Sequence, residues 1–376
     1  QYYSLFENDE EFRDLFKVRA DFSDTMPRDA ANEQAYAQFV AARSQEERLR
    51  PFGRAAVAKI VEHGARLAEH QCKLSTRFGA VADLVREADY WAGTNGHETV
   101  TAEDVQQSLD ERAHRANLAA EQLREEILEG LLFIATEDEV VGQVNGLSVL
   151  EIGEFSFGHP SRITARTFMG DDGVIHIERE TDMSLPDHDK GVLTLNAYLG
   201  GTYAQHQPLS LNASLTFEQI YVYVDGDSAS SSELYALLSS LSLIPIRQGI
   251  SVTGSVNQRG EIQPIGSVNE KIEGFFDICC ARGLTGEQGV IIPATNVVNL
   301  MLREDVVQAA RDGRFHVWAV SHINEGLELL TGRPAGVPNA DGDYPEGTVH
   351  NAVKKRLLEL ATELKSFGED HNEDRE

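Results

Sequence analysis

The stretch Tyr221–Ser240, YVYVDGDSASSSELYALLSS, decides how the rest of the chain is interpreted. Alternating apolar residues up to Val224 predict a strand that breaks at residues 225–227 (DGD), and a helix then opens on small residues. Such a turn lifts the Ser228 hydroxyl off a strand end, and the unbonded N–H groups of a helix start can hold an oxyanion. Ser228 is therefore a candidate nucleophile. The alternative is a plain N-cap, because serine and aspartate are preferred there.

A second segment, Ser251–Gly283, reads SVTGSVNQRGEIQPIGSVNEKIEGFFDICCARG. It predicts a strand, a polar turn, a short strand and a helix from about Val268 to Ala281. Lys271 falls on the apolar face of that helix. A lysine held there has its charged form disfavoured, so its pKa falls and it can take a proton from a serine. Most helical lysines are solvated, but the serine and the lysine together point to a catalytic pair.

These residues resemble a known pattern. DGDSAS, followed 43 residues later by the lysine of PIGSVNEKIEG, is similar to the Ser-Lys dyad of the Lon protease family, which usually reads DGPSAG and PIGGLKEK. The resemblance implies a supporting role for Thr253, and VGQVNGLSV (Val141–Val149) and GVLTLNAYLG (Gly191–Gly200) resemble the opening strands of the same proteolytic domain. With the N-terminal part, the resemblance is to the bacterial Lon-like branch whose ATPase is of the archaeal Lon B type.

The sequence departs from this family pattern at several positions. Asp227 replaces the proline, Ser230 replaces the second glycine, and Ser214 and Thr216 stand where histidines often precede the serine. Asp227 places a charge beside the nucleophile, which weakens oxyanion stabilisation unless its carboxylate turns outward to cap the helix.

Other roles remain open for the residues near this motif. Asp225 either orients Lys271 or simply forms the turn. A Ser-His-Asp hydrolase competes for Ser228 because residues 226–230 approach a G-x-S-x-G elbow, although the last glycine is missing. The adjacent Cys279-Cys280 pair is interpreted as core rather than as a nucleophile.

The histidines indicate no metal centre. Twelve are scattered without an H-E-x-x-H or a Cys/His pair at ligand spacing, so no metal site is predicted. The run Asp187-His188-Asp189 is interpreted as a solvated loop.

Composition limits the environment and the partners. The 33 basic and 61 acidic residues give a net charge of −28, which disfavours binding to nucleic acid and anionic lipid. No run of 18 apolar residues suggests a membrane span, and three cysteines make no disulfide framework, which favours a reducing cytoplasm. The chain begins with Gln and shows no signal-peptide pattern, so we expect it to start inside a longer polypeptide.

Residues 1 to about 118 predict mostly helices, at roughly 30–48, 53–70, 76–93 and 101–130, the last opened by a Thr101/Asp104 capping box. DLFKVRADF resembles the end of an AAA+ large subdomain, and residues 28–118 resemble the helical lid. Arg77 would then be either a sensor arginine that reaches ATP or an exposed arginine at a helix start. No G-x-x-x-x-G-K-[ST] occurs, so ATP with Mg²⁺ is expected to bind an ATPase core outside this chain.

The predicted fold class is α+β: an all-α, AAA+ lid-like domain followed by a Lon-type proteolytic domain with mixed sheets. The predicted divisions are a remnant of the AAA+ large subdomain at 1–27, the lid at 28–118, a connecting helix at 119–135, the proteolytic domain at 136–335, and a linker, amphipathic helix and acidic disordered tail at 336–376.

The resemblance implies an ATP-dependent serine endopeptidase of Lon type that degrades unfolded or damaged proteins in a homo-oligomeric ring, expected to be a hexamer. Ser228 would be the nucleophile, Lys271 the base and Thr253 its hydrogen-bond partner. The alternative is a catalytically silent ring or adaptor that binds polypeptides without cutting them.

Overall fold

The computed structural model describes residues 2–153, 155–205 and 209–373, with side chains as far as Ser366. The chain forms two compact units, the first ending at Asp110 and the second beginning at Glu111. This division falls inside a helix, and the finer domain limits given above stay predictions. Among the described residues, every helix is too short or too polar to cross a bilayer.

The first unit is built from helices and one small antiparallel sheet. Its elements are α1 (Tyr2–Asn8), α2 (Glu10–Leu15), β1 (Thr25–Pro27), α3 (Ala30–Glu47), α4 (Arg54–Leu67), β2 (Lys73–Ser75), α5 (Phe78–Thr94) and the start of α6 (Ala102–Ala116). The predicted capping box is confirmed, because Thr101 N donates to Asp104 Oδ2 at 2.9 Å and Asp104 N donates to Thr101 Oγ1 at 3.3 Å. The β1–β2 pair lies in a region predicted to contain only loop and helix.

The second unit alternates strands and helices. Its elements are α7 (Leu118–Leu128), β3 (Glu139–Val140), β4 (Gln143–Ile152), β5 (Phe155–Phe168), β6 (Gly173–His176), α8 (Ile177–Glu180), α9 (Pro186–Tyr203), β7 (Asn212–Phe217), α10 (Ser230–Ser242), β8 (Ile246–Arg247), β9 (Ile250–Val252), β10 (Ser255–Val256), β11 (Ile262–Gln263), α11 (Val268–Arg282), β12 (Gly289–Pro293), a 3-10 helix (Ala294–Asn299), α12 (Glu304–Arg311), β13 (His316–Val320), α13 (Ile323–Thr331) and α14 (Val349–Glu373).

Seven strands form the central sheet, in the order β13-β12-β9-β4-β5-β7-β6. β13, β12, β9 and β4 are mutually parallel, β5 runs antiparallel to both β4 and β7, and β6 is parallel to β7. The sheet is therefore mixed, and the predicted α+β class with a helical N-terminal region is confirmed.

Helices cover both faces of this sheet because its strands are apolar on both sides. In β4, Val144 belongs to the core cluster that contains α10, whereas Leu147 belongs to the cluster that contains α11. These two positions have opposite parity along the strand, so α10 and α11 lie on opposite faces. A residue just before α10 and a residue in the first turn of α11 can therefore meet only at the end of the sheet.

Several predicted elements differ from the structure. GVLTLNAYLG was expected to be a strand but lies within helix α9, which begins with a proline at its first position and buries Val192, Leu195 and Leu199 at helical spacing. The strand predicted up to Val224 is also wrong, since only Val224 forms an isolated bridge, to Ser184.

The helix predicted at 101–130 is divided in two. Asn117, a residue that competes with helical backbone bonds, separates α6 from α7, and its side chain donates to Glu121 at 2.9 Å. A 3-10 helix and an irregular stretch precede α12.

The C-terminal helix packs on its own unit, with Val349, Val353, Leu357 and Leu360 buried in the same core cluster as α10. It continues to Glu373, so the tail predicted to be disordered is helical that far. Residues 374–376 lie outside the described residues.

Candidate active site

Ser228 lies at the turn between an irregular segment and helix α10. It is half-buried, two residues before the helix begins, and its backbone carbonyl accepts from Gly254 N at 2.8 Å. Gly226, at φ 78°, supplies the left-handed conformation that this turn requires. Ser228 is thus held by its main chain while its hydroxyl stays accessible.

The amine of Lys271 reaches this hydroxyl from the first turn of α11. Lys271 Nζ lies 3.0 Å from Ser228 Oγ, and the lysine is only 5% exposed. Burial lowers the pKa of Lys271 to about 8, against a smaller opposing effect of the Asp227 carboxylate. A base with this pKa is partly neutral near physiological pH, and its donor-acceptor distance permits proton transfer.

Thr253 completes the group at the end of β9. Lys271 Nζ donates to Thr253 Oγ1 at 3.3 Å, and Thr253 N is bonded to Ile291 O of the neighbouring strand at 3.0 Å. The structure therefore brings together the three residues that the sequence singled out first. Because Thr253 is anchored to the sheet, it fixes the position of the lysine amine.

The two aspartates of the turn have separate partners. Asp227 Oδ2 accepts from Ser255 Oγ at 2.7 Å, and α10 has no side-chain cap, so Asp227 does not cap the helix. Asp225 Oδ1 accepts from the backbone N–H of Gly226 at 2.8 Å. No described hydrogen bond joins Asp225 to Lys271, which favours the turn-forming interpretation of Asp225.

Backbone N–H groups remain beside the Ser228 hydroxyl. In the part of the chain that the structure describes, no hydrogen bond is donated by the N–H of Asp227 or of Ser228. Unbonded N–H groups next to a nucleophile are the usual donors to a tetrahedral oxyanion.

The neighbouring serines are structural. Ser230 and Ser231 are each 1% exposed, Ser230 Oγ accepts from Val256 N at 3.0 Å, and Ser232 Oγ donates to Val252 O at 3.1 Å. They tie the start of α10 to the sheet and leave Ser228 as the accessible hydroxyl of the series.

The competing nucleophile assignments find no support in the geometry. Among the described residues no histidine is hydrogen-bonded to Ser228, as a Ser-His-Asp site would need. Burial raises the pKa of Cys279 and of Cys280, so neither thiol is activated. Cys279 is buried in the core as expected, whereas Cys280 is exposed.

A cleft of about 540 Å³ opens over the Ser228 hydroxyl. Its walls include Leu147–Leu150 of β4, Ile265 and His159. β4 pairs with β9 only at Asn145 and Gly146, so its next residues present an unpaired strand edge to the cleft. His159, whose pKa burial lowers, was missed by the sequence analysis because no motif marks it.

Arg77 belongs to the first unit and is considered by itself. It is exposed and lies immediately before α5 at Phe78. This position agrees with an arginine at a helix start, and its proposed contact with ATP stays a prediction.

Comparison with known families gives the same division of the chain. Residues 51–115 match the archaeal LonB AAA+ ATPase lid domain, and residues 219–332 match the Lon protease (S16) C-terminal proteolytic domain. The chain thus belongs to the class of proteins in which an AAA+ lid domain is followed by a Lon-type proteolytic domain.

Curated relatives extend this similarity beyond the two matched regions. A Lon protease homologue of Escherichia coli K12 is 43% identical over 249 residues, which cover 66% of this chain and 42% of the relative. One from Haemophilus influenzae is 38% identical (71% and 45% covered), and the archaeal Lon protease of Archaeoglobus fulgidus is 30% identical over 312 residues (81% and 47% covered). The chain belongs to the Lon protease family, and it spans less than half the length of these relatives.

Proposed function

We propose that this chain is the proteolytic part of an ATP-dependent serine endopeptidase in which Ser228 and Lys271 form the catalytic dyad. The observation that carries the proposal is the 3.0 Å separation between Lys271 Nζ and Ser228 Oγ, at a lysine whose pKa is lowered to about 8. Membership of the Lon family supports the reaction class.

The arrangement can perform acyl transfer in two halves. Ser228 Oγ bonds to the scissile carbonyl carbon as its proton passes to the neutral Lys271 amine, and the N–H groups of Asp227 and Ser228 stabilise the oxyanion. The C–N bond then breaks and the lysine returns the proton to the leaving amine. Water, deprotonated by Lys271, hydrolyses the ester and regenerates Ser228. Thr253 holds the amine in place throughout.

An extended polypeptide fits the cleft. The strand edge of β4 beyond Gly146 offers unpaired backbone groups, and a substrate strand can pair with them while its carbonyl lies over Ser228. Unfolded or damaged proteins present such segments along much of their length, because their backbone is not held in secondary structure. Access would be controlled by an ATPase core with Mg²⁺-ATP, to which Arg77 could contribute, and by a homohexameric ring.

Substitution of Ser228 tests the proposal. Ser228→Ala should lose peptide cleavage by at least about 10³-fold and should not react with a serine-directed phosphonate, because one accessible hydroxyl is removed without loss of packing. The control is Ser242→Ala, at the far end of α10, which should keep both activities.

Peptide cleavage and phosphonate labelling also distinguish the peptidase from a catalytically silent adaptor. The Asp227 carboxylate beside the nucleophile is the feature that favours a silent protein. A wild-type chain that binds unfolded polypeptide but neither cleaves it nor reacts with the phosphonate would establish the adaptor and refute the peptidase.

A further inference from the structure

Three buried side chains of the second unit converge near the Ser228 turn, and none of them lines the cleft. His176 ends β6, His188 lies in the first turn of α9, and Glu233 lies in the first turn of α10. Their relative exposures are 1%, 0% and 0%. The interpretation of Asp187-His188-Asp189 as a solvated loop is therefore wrong, because all three residues lie in helix α9 and the His188 imidazole is buried.

The donor atoms of these residues form a compact triangle. His188 Nε2 lies 3.3 Å from His176 Nε2 and 3.5 Å from Glu233 Oε1, and His176 Nε2 lies 2.5 Å from Glu233 Oε1. Ligand atoms around a tetrahedral ion with bonds of 2.0 to 2.1 Å stand about 3.3 Å apart. Two edges of the triangle match this spacing, and the third needs Glu233 to withdraw by less than about 1 Å.

The Nδ1 atoms of both rings face the kinds of group that orient metal-binding histidines. His188 Nδ1 is hydrogen-bonded to the Gly226 carbonyl at 3.4 Å. His176 Nδ1 lies 3.2 Å from Glu178 Oε2 without hydrogen-bond geometry, so both of these buried atoms lack a hydrogen-bond partner among the described residues. A carboxylate or a carbonyl on the second nitrogen places the hydrogen there and leaves Nε2 free to bind an ion. Glu178 is itself fixed, because Oε1 accepts from Thr216 Oγ1 and Phe217 N, each at 2.8 Å.

A shared proton does not satisfy all the buried polar atoms of this cluster. A proton shared by His176 and Glu233 leaves Glu233 Oε2 buried without a hydrogen-bond donor. It also leaves two buried carboxylates facing one positive charge, which is costly in a dry interior.

We infer that His176, His188 and Glu233 bind one divalent transition-metal ion of the zinc type through His176 Nε2, His188 Nε2 and the Glu233 carboxylate. With both carboxylate oxygens bound, the ion has four donors in a distorted tetrahedron, because one carboxylate holds its two oxygens closer together than a regular tetrahedron does. The two positive charges of the ion balance Glu233 and Glu178. Two imidazoles and one carboxylate suit Zn²⁺ and disfavour Ca²⁺ or Mg²⁺, which prefer oxygen ligands alone.

The proposed ion is structural. Its ligands are closed to solvent, so no substrate reaches it. It links β6, α9 and α10, and through His188 it is linked to the Gly226 carbonyl, two residues before Ser228. The expected effect is to hold the turn that presents the nucleophile.

Metal binding by the whole chain, prepared without a histidine tag, tests the inference. After chelation and dialysis against Zn²⁺, elemental analysis should give about one Zn²⁺ per chain, and the Tm should rise relative to the chelated protein because the ion binds the folded state. Co²⁺ should give the visible absorption bands of tetrahedral coordination.

Variants locate the site. Glu233→Gln and His188→Gln should lose the retained Zn²⁺, the Tm shift and the Co²⁺ bands, whereas His114→Gln, which removes an exposed imidazole, should keep all three. The wild-type measurement stands even if a variant fails to fold. Wild-type protein that retains no Zn²⁺ and shows no tetrahedral Co²⁺ spectrum, or folded variants that bind as wild type does, would overturn the inference and leave a proton-bearing ion pair.

Discussion

At the scale of single residues, burial of the Lys271 amine has a direct chemical consequence. If the neutral amine is the base, peptidase activity should rise with pH through about 8 and level off above it, because the pKa of Lys271 is lowered from 10.5 to about 8. Lys271→Arg should be inactive, since a guanidinium keeps its proton. The pH profile of kcat/KM measures the first effect. An active Arg variant would show that position 271 is only structural.

The lowered pKa of Lys271 also predicts how the free energy of unfolding changes with pH. The folded pKa of Lys271 lies below the unfolded value, so between pH 8 and 10.5 the unfolded chain binds more protons and stability rises with pH. Relative to Lys271→Met, the wild-type free energy of unfolding should gain roughly 3 kcal/mol across this interval. Denaturant unfolding of both proteins measures the difference, in which the other alkaline titrations cancel. A constant difference would mean that the amine is not desolvated.

Residue identities explain why the proximity of Ser228 and Lys271 could be predicted and the histidine cluster could not. Ser228, Thr253 and Lys271 lie in short sequence motifs, and the residue types and spacing of these motifs are typical of a serine nucleophile with a lysine base. His176 is separated from His188 by 12 residues and from Glu233 by 57, and only the packing of three elements brings them together. No local sequence motif marks such a group, because its members are far apart along the chain.

At the scale of elements, one close contact positions the lysine. Helix α11 crosses β5 with backbone nearly touching backbone: a Cβ on Gly274 would lie 1.9 Å from Gly158 O, and one on Gly158 would lie 2.1 Å from Glu270 O. Glycine is required at both positions, because any side chain must push the helix off the sheet. Lys271 is one turn away and would move with it.

Gly274→Ala should therefore reduce peptidase activity by about 10²-fold or more and lower stability by a few kcal/mol, because a shift of about 1 Å breaks the dyad geometry. The control is Gly200→Ala in α9, where nothing lies within 4 Å of the added methyl group. That variant should keep its activity and gain up to about 1 kcal/mol of stability. Thermal unfolding and peptide cleavage measure both variants, and a fully active Gly274→Ala would contradict the close approach.

Element type was predicted well where periodicity was long and poorly where the apolar pattern was ambiguous. The α11 helix, predicted from about Val268 to Ala281, is observed from Val268 to Arg282. In GVLTLNAYLG the residues Val192, Leu195 and Leu199 fit a helix, yet a short apolar run also fits a strand. Tyr221 and Tyr223 alternate as strand residues do but are exposed, since no neighbouring strand pairs with them among the described residues.

At the scale of the whole molecule, charge opposes assembly while an apolar segment favours it. The net charge of −28 repels neighbouring copies, and screening lengths fall from about 10 Å at 0.1 M salt to about 3 Å at 1 M. The apolar face of α14 is buried against α10 and is therefore not available for a contact between copies. Tyr221, Val222 and Tyr223, exposed by 84%, 64% and 69% beside the cleft, are the better candidates.

We therefore expect a homohexameric ring for the full polypeptide, because rings form through head-to-tail contacts between copies. This chain should form a weaker oligomer whose population increases with salt concentration, because salt screens the repulsion between like-charged copies. Light scattering across protein and NaCl concentration measures it, with sucrose at equal osmolality to separate screening from solvent exclusion. Replacing Tyr221 and Tyr223 by serine should weaken association, whereas Tyr90→Ser, at an aromatic residue 64% exposed in the first unit, should not. A chain that stays monomeric at every concentration with full peptidase activity would show that the site forms without a ring.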